Sequence, residues 1–229
     1  MDSLKQKFVE NFISDERWRY LWNGLGTTLK IAVCAVVFGC IIGALIAIVR
    51  STHDKTGKMK ALNAVCNLYT TVIRGTPIVL QLLIMYFVVF AASSVSKIFV
   101  AIVAFSINSG AYVSEIIRSG IMSIDNGQLE AGRSLGLSYA QTMGYIVIPQ
   151  AFKNVLPALG NEFIALLKET SVSGYIALAD LTKGGDIIRS QTYDAFMPLI
   201  GVALIYLMLV CLLSAGVSRL ERRLRTSER

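Results

Sequence analysis

An all-helical membrane protein is the fold class that the sequence predicts, on three grounds. Hydrophobic residues make up 54% of the 229-residue chain and charged residues only 16%. Mean hydropathy is +0.59, too apolar for a soluble domain of this length. Several apolar stretches approach about 20 residues, the length that crosses about 30 Å of hydrocarbon as a helix.

Five spans are expected. Thr27–Val49 carries one charge, Lys30, near its start. Pro77–Ala92 and Ile98–Ser114 carry none, Pro157–Ala179 carries Glu162, Lys168 and Glu169, and Ala195–Ser218 carries none and stops at Arg219. One domain, 1–229, holds them all. Residues 1–24 are polar and lack the apolar core of a cleavable signal. Within them Leu4, Phe8 and Phe12 recur every four residues with Lys5, Lys7 and Glu10 between. That suits an amphipathic helix along the outer surface, the alternative being a frayed terminus. Trp18, Tyr20 and Trp22 mark the interface before the first span.

Charge sets the orientation. Arg50, Lys55, Lys58 and Lys60 stand against Asp54, and the tail 219–229 holds Arg219, Arg222, Arg223, Arg225 and Arg229 against Glu221 and Glu228. With five spans these two segments and the polar segment 126–150 share one side. Asp180–Asp194, with three acids and two bases, and the balanced N-terminus share the other. Excess Lys and Arg marks the cytoplasmic side. The C-terminus is therefore expected in the cytoplasm and the N-terminus outside. The net charge of +7 reads as topology and as attraction to anionic membrane lipid, with no nucleic-acid partner.

Several chemistries are excluded. Cys34, Cys40, Cys66 and Cys211 lie in or beside apolar stretches without CxxC spacing, so they read as buried small hydrophobes and no metal site is expected. His53 is the only histidine, which rules out HExxH chemistry, and no GxSxG is present. No phosphate loop of the GxxxxGK[ST] type occurs. The chain is expected to be no enzyme and to need no cofactor, and any ATPase that powers it is on another chain.

The segment Glu130–Pro149, EAGRSLGLSYAQTMGYIVIP, carries the most information. Glu130-Ala131-Gly132 is followed after three residues by Gly136, and nine residues later by Ile146-Val147-Ile148-Pro149. The pattern resembles the EAA loop of bacterial ABC importer permeases: E-A-A, three residues, G, nine residues, I-x-L-P. Gly132 stands where the pattern has its second alanine, and Ile148 where it has leucine. Locally, Gln128–Leu135 favours a helix that breaks at Gly136, and Ser138 can cap a second short helix through Tyr145. Pro149 and Pro157 bracket the return to the membrane. The resemblance implies a cytoplasmic coupling helix that docks in a cleft of an ATPase subunit.

Arg74-Gly75-Thr76-Pro77, followed by an apolar run with Gln81, looks like the amino-acid branch of the same family, which handles histidine, arginine, glutamate, glutamine and cystine. So do Asn108–Arg118, NSGAYVSEIIR, and Leu159–Ser171, LGNEFIALLKETS. Gly75 and Pro77 break a helix, and broken membrane helices occur where protein or a water-filled cavity satisfies the backbone. Arg74 either anchors at the cytoplasmic boundary or pairs with an acid. Glu162 lies five residues after Pro157 in an apolar span, where a carboxylate costs at least ~2.5–3.5 kcal/mol and must face a cavity or a partner. It either meets cargo or forms an ion pair with Arg74 or Lys168. Gln81, Asn108 and Tyr112 are polar positions that could complete a pocket.

The resemblance thus implies the permease fold of type I ABC importers in a bacterial plasma membrane. It further implies a second permease, identical or similar, two ATPase subunits, an external substrate-binding protein and a polar amino acid as cargo. A gradient-driven secondary transporter acting alone is the alternative. Inverted repeats would favour it, and none is visible.

Overall fold

The computed structural model describes residues 2–226. Met1 and 227–229, the end of the expected basic tail, lie outside the described residues. Ten α-helices follow one another in the described chain: α1 Asp2–Phe8, α2 Trp18–Thr56, α3 Lys60–Gly75, α4 Ile78–Ile84, α5 Lys97–Met122, α6 Asn126–Ser134, α7 Tyr139–Thr142, α8 Ile148–Glu169, α9 Leu181–Thr192 and α10 Phe196–Thr226. No strand occurs among the described residues.

Three of these helices are long and apolar enough to cross a membrane: α2, α5 and α10. The count rises to four if the bent pair, α3 followed by Ile78–Val89, is one broken span. The expected span Pro77–Ala92 holds one helix, Ile78–Val89, which passes as a crossing only together with α3. Ile78–Val89 alone reaches only about 18 Å at 1.5 Å per residue. The break lies at Thr76, which is extended because Pro77 bars the helical conformation to the residue before it. Gly75 ends α3, and a Cβ there would meet nothing within 4 Å, so proline and not glycine enforces the break. The expected span Pro157–Ala179 is α8 followed by 3-10 turns over Thr170–Ile176. With Asn154, Asn161, Glu162 and Lys168 on it, α8 is not among the helices apolar enough to be counted as crossings.

Helix α2 shows how the membrane inverts the usual pattern. Its buried stripe is small: Thr28, Ala32, Ala35, Gly39, Gly43 and Ala47, with Ile31. Its exposed stripe is large: Val37, Phe38, Ile41 and Leu45. Lipid gives no hydrophobic reward for pairing helices, so small residues that let backbones approach are the ones turned inward. A Cβ on Gly39 would stand 2.9 Å from Ser109 Oγ, and one on Gly43 2.7 Å from Val113 Cβ.

The described residues fall into two compact units. The first is drawn from Met1–Val36, Pro77–Ser106 and Phe163–Leu213, the second from Val37–Thr76, Ile107–Glu162 and Ser214–Arg229. The first unit has a core of Ile31, Leu82, Phe105, Leu166 and Ile176 and a smaller one of Leu21, Leu181, Ile188 and Val202. Asp180 caps α9, its carboxylate accepting from Lys183 N at 3.0 Å and Thr182 N at 3.3 Å. The N-terminal segment is helical and held, not frayed. Asn11 donates to Asp194 at 3.2 Å and accepts from Thr192 at 2.8 Å. The expected apolar stripe divides: Phe12 packs on the smaller core, while Leu4 and Phe8 are exposed.

The second unit centres on Ile121, Met143, Val147 and Ala151, with Ile117, Leu129 and Tyr139 around them. This core joins the lower part of α5, the two short helices α6 and α7, and the start of α8.

Candidate functional site

The segment 126–150 forms the expected pair of short helices. Asp125 caps α6, accepting from Gly127 N at 2.6 Å. α6 ends in a Schellman motif: Gly136 N donates to Arg133 O at 2.9 Å and Leu137 N to Gly132 O at 3.1 Å. That closure needs a left-handed residue, and Gly136 has φ +83°. Ser138 then caps α7 in a reciprocal capping box with Gln141. A wide helical turn, Met143–Val147, leads into α8, where Pro149 supplies no N–H to the preceding turn.

Glu130 and Ala131 are exposed, whereas Gly132 is buried against Thr142. A Cβ on Gly132 would lie 2.5 Å from Thr142 Cγ2 and 2.8 Å from Thr142 Oγ1. Burial pushes the Tyr139 hydroxyl above its ordinary pKa. Two large apolar groups on this element face away from the core: Leu135 is 80% exposed and Tyr145 75%. An element that buries one face so well and presents leucine and tyrosine on the other has the character of a docking surface.

Behind it in the same unit lies a charge network. Arg50 Nη1 donates to Glu115 Oε1 at 2.7 Å, Arg118 Nε to Glu115 Oε2 at 3.0 Å, and Arg118 Nη1 to Asp54 Oδ2 at 2.9 Å. Arg74 stands 3.6 Å from Glu115 and 5.4 Å from the centre of the Tyr112 ring. Of the two readings open for Arg74, the structure thus gives an acidic partner, Glu115. Lys55 donates to Asn126 at 2.9 Å, which ties the end of α2 to the start of α6.

Glu162 sits on α8 in the second unit, and its carboxylate accepts from Ser109 Oγ at 3.0 Å. Asn108 is buried and Tyr112 half-buried one turn along α5. The structure brings Glu162 and the Asn108–Tyr112 turn into one unit. Gln81 lies on α4, in the first unit.

The profile of the binding-protein-dependent transport system inner membrane component family matches residues 35–226. The chain belongs to that family. The permease is 40% identical to a putative glutamine transport system permease protein, GlnP, of Rickettsia bellii, over 91% of this chain and 94% of that one. It is 39% identical to the arginine transport system permease protein ArtQ of Bacillus subtilis, again over 91% and 94%. Among solved structures it resembles an amino acid ABC transporter crystallised with histidines, with TM-score 0.84 and 42% identity over 93% of this chain and 98% of that one. The permease therefore has the type I ABC importer fold and is a multi-pass membrane component of a transport system. The family decides against a gradient-driven transporter acting alone.

Sequence reasoning did not single out Ser109, Glu115, Leu135 or Tyr145. Ser109 and Glu115 lie inside the stretch Asn108–Arg118 that marked the amino-acid branch, but only the fold pairs them with Glu162 and Arg50. Leu135 carried a local signal: an apolar residue just before a helix-ending glycine.

Proposed function

We propose that the permease imports a polar amino acid, coupled through Glu130–Pro149 to an ATPase subunit. It pairs with a second permease, identical or similar, and receives cargo from an external substrate-binding protein. Its single domain spans the plasma membrane of a bacterium with the N-terminus outside and the basic tail inside. The sorting of segments between the two units supports this orientation. Arg50–Lys60, the coupling segment and the tail all fall in the second unit, whereas the N-terminus and Asp180–Asp194 fall in the first. In the coupling element Glu130, Ala131 and the left-handed turn at Gly136 shape the surface, Gly132 and Pro149 seat it on the permease, and Leu135 and Tyr145 supply the apolar contact. Arg74, Gly75, Thr76 and Pro77 form the break between α3 and α4.

The observation that carries the cargo reading is the Glu162 carboxylate. It is half-buried on α8, where Ser109 Oγ donates to it, with Asn108 and Tyr112 in the same unit. A carboxylate on a membrane helix faces a cavity or a partner, and the ammonium of an amino acid or a cationic side chain suits it. A charge-assisted bond of this kind contributes roughly 1.5–3 kcal/mol. Glu162→Gln keeps the shape and removes the charge. In proteoliposomes holding the complete transporter, it is expected to lower ATP-driven uptake about 10-fold or more, since 1.4 kcal/mol is a factor of ten. The loss is expected to be larger for L-arginine than for L-glutamine. Unchanged uptake of every amino acid tried, or loss of the folded complex, would refute the role.

A further inference from the structure

We propose that the permease carries a second amino-acid station, a polar groove between α8 and α10 that takes an α-amino acid by its charged backbone groups. The groove measures about 440 Å3 and is lined by Lys153, Asn154, Pro157 and Asn161 of α8 and by Glu221 of α10. That volume falls among small-molecule sites, which run from roughly 300 to 1,000 Å3. All of these residues belong to the second unit. The two helices approach closely just beyond the groove: a Cβ on Gly160 would lie 2.6 Å from Val217 Cγ2.

The lining matches a zwitterion. Lys153 is half-buried and makes no ion pair among the described residues. Its backbone carbonyl has also lost its helical donor, because Pro157, four residues on, has no N–H. Asn154 donates to Ser123 Oγ at 3.2 Å, which orients its amide. Glu221 brings a carboxylate from the other helix. An amino acid's carboxylate suits the Lys153 ammonium, and its ammonium suits Glu221 and the Lys153 carbonyl. A simple anion or a simple cation would meet one like charge in the same groove. Asn161 then faces the cargo side chain with an amide, which both donates and accepts and so admits several polar side chains.

The station is distinct from Glu162. That carboxylate bonds to Ser109, and Lys153 lies nine residues earlier, about 13 Å down the helix at 1.5 Å per residue. On the orientation and cargo class proposed above, on which this inference rests, the groove is the product-side stop, between Glu162 and the coupling core at Val147 and Ala151.

The test uses the complete transporter in nanodiscs, with the four native cysteines replaced and Ala158→Cys introduced in the groove wall. The rate at which a small thiol reagent modifies the introduced thiol is measured with and without L-arginine or L-glutamine. Protection follows 1 + [L]/Kd, so it is expected to reach about 10-fold at roughly ten times Kd. It is expected to persist in Glu162→Gln and to disappear in Lys153→Met and in Glu221→Gln. Arginine amide, which lacks the carboxylate, and N-acetylarginine, which lacks the ammonium, are expected not to protect. Should Ala158→Cys fail to assemble, Leu224→Cys, in the other wall, reports on the same groove. Equal protection by the two blocked derivatives, or none by either free amino acid, overturns the proposal. Uptake by the same preparation separates the two readings. Uptake without protection removes the groove and leaves the importer standing, whereas protection without uptake supports the groove and removes the importer.

Discussion

Replacing Gly132 by alanine restores the residue that the EAA pattern has at this position, and here it is expected to harm the coupling element. The added methyl would stand 2.5 Å from Thr142 Cγ2 and 2.8 Å from Thr142 Oγ1, with Ile146 Cδ1 at 3.2 Å. Thr142 cannot easily yield. It is fully buried, its side chain is β-branched, and its hydroxyl donates to Ser138 O at 3.0 Å. Forcing a methyl into such a site costs about 1–3 kcal/mol. Against that, alanine in place of glycine inside a helix stabilises by about 1 kcal/mol. The steric term wins, by up to about 2 kcal/mol, and the loss is local to α6, α7 and the turn between them. Thr142→Ala removes both clashing atoms. The double variant Gly132→Ala/Thr142→Ala is therefore expected to recover the helix-propensity gain, with an interaction energy of about 1 kcal/mol or more between the sites. Hydrogen exchange of the amides in 126–147 measures this directly: faster in Gly132→Ala, restored in the double variant. If Gly132→Ala slows exchange, it acts as a plain helix stabiliser and the packing argument is wrong.

Three other outcomes follow from the same geometry. Gly136→Val meets no steric neighbour but forces a β-branched residue into the left-handed region, at a cost of about 1–2 kcal/mol or more; the protein is expected in the membrane with weakened ATPase co-purification, and normal yield with normal uptake would count against it. Ser190→Cys, on the exposed face of α9, is expected to react with an impermeant thiol reagent in intact cells, whereas a cysteine at Ser227, outside the described residues, is not; the reverse pattern would overturn the orientation. Glu115→Gln leaves Arg50 and Arg118 without their shared carboxylate and is expected to destabilise by about 1–3 kcal/mol, below the ~3–5 kcal/mol of a fully buried pair, because the Glu115 side chain is 20% exposed; a thermal melt unchanged from wild type would show the network to be idle.

The parts legible in the sequence are those whose signals are local. The cap at Ser138 and the break at Gly136 each involve a few consecutive residues, and both stand in the structure where the sequence puts them. The apolar centres of α2, α5 and α10 were equally plain, because a bilayer rewards average apolarity over a window. Three things were not legible. Helix α3 turns Asn63, Cys66 and Thr70 inward and leaves Leu62, Val65 and Leu68 exposed, so its polar residues dilute any window average. Helix α2 runs on to Thr56, so most of the basic segment Arg50–Lys60 is helix, and only Gly57–Met59 turns. The Arg50–Glu115–Arg118–Asp54 network joins residues up to 65 positions apart, and nothing in the sequence near either end announces the partner.

Helix α8 gathers the functional arguments on one rod. Its first turn, at Ala151, belongs with Val147 just before it to the core that holds α6 and α7. Glu162 lies eleven residues beyond Ala151, about 16 Å along the axis. A helix of this length is stiff, so a displacement of the coupling element against its partner cannot be absorbed between the two ends unless the rod has a soft point. Pro157 provides one, since it removes a single backbone hydrogen bond midway between Ala151 and Glu162. The groove of Lys153 and Asn161 opens at that same turn. A ligand bridging α8 and α10 there would stiffen the place where bending is easiest, and so would bear on how much of the coupling motion reaches the carboxylate.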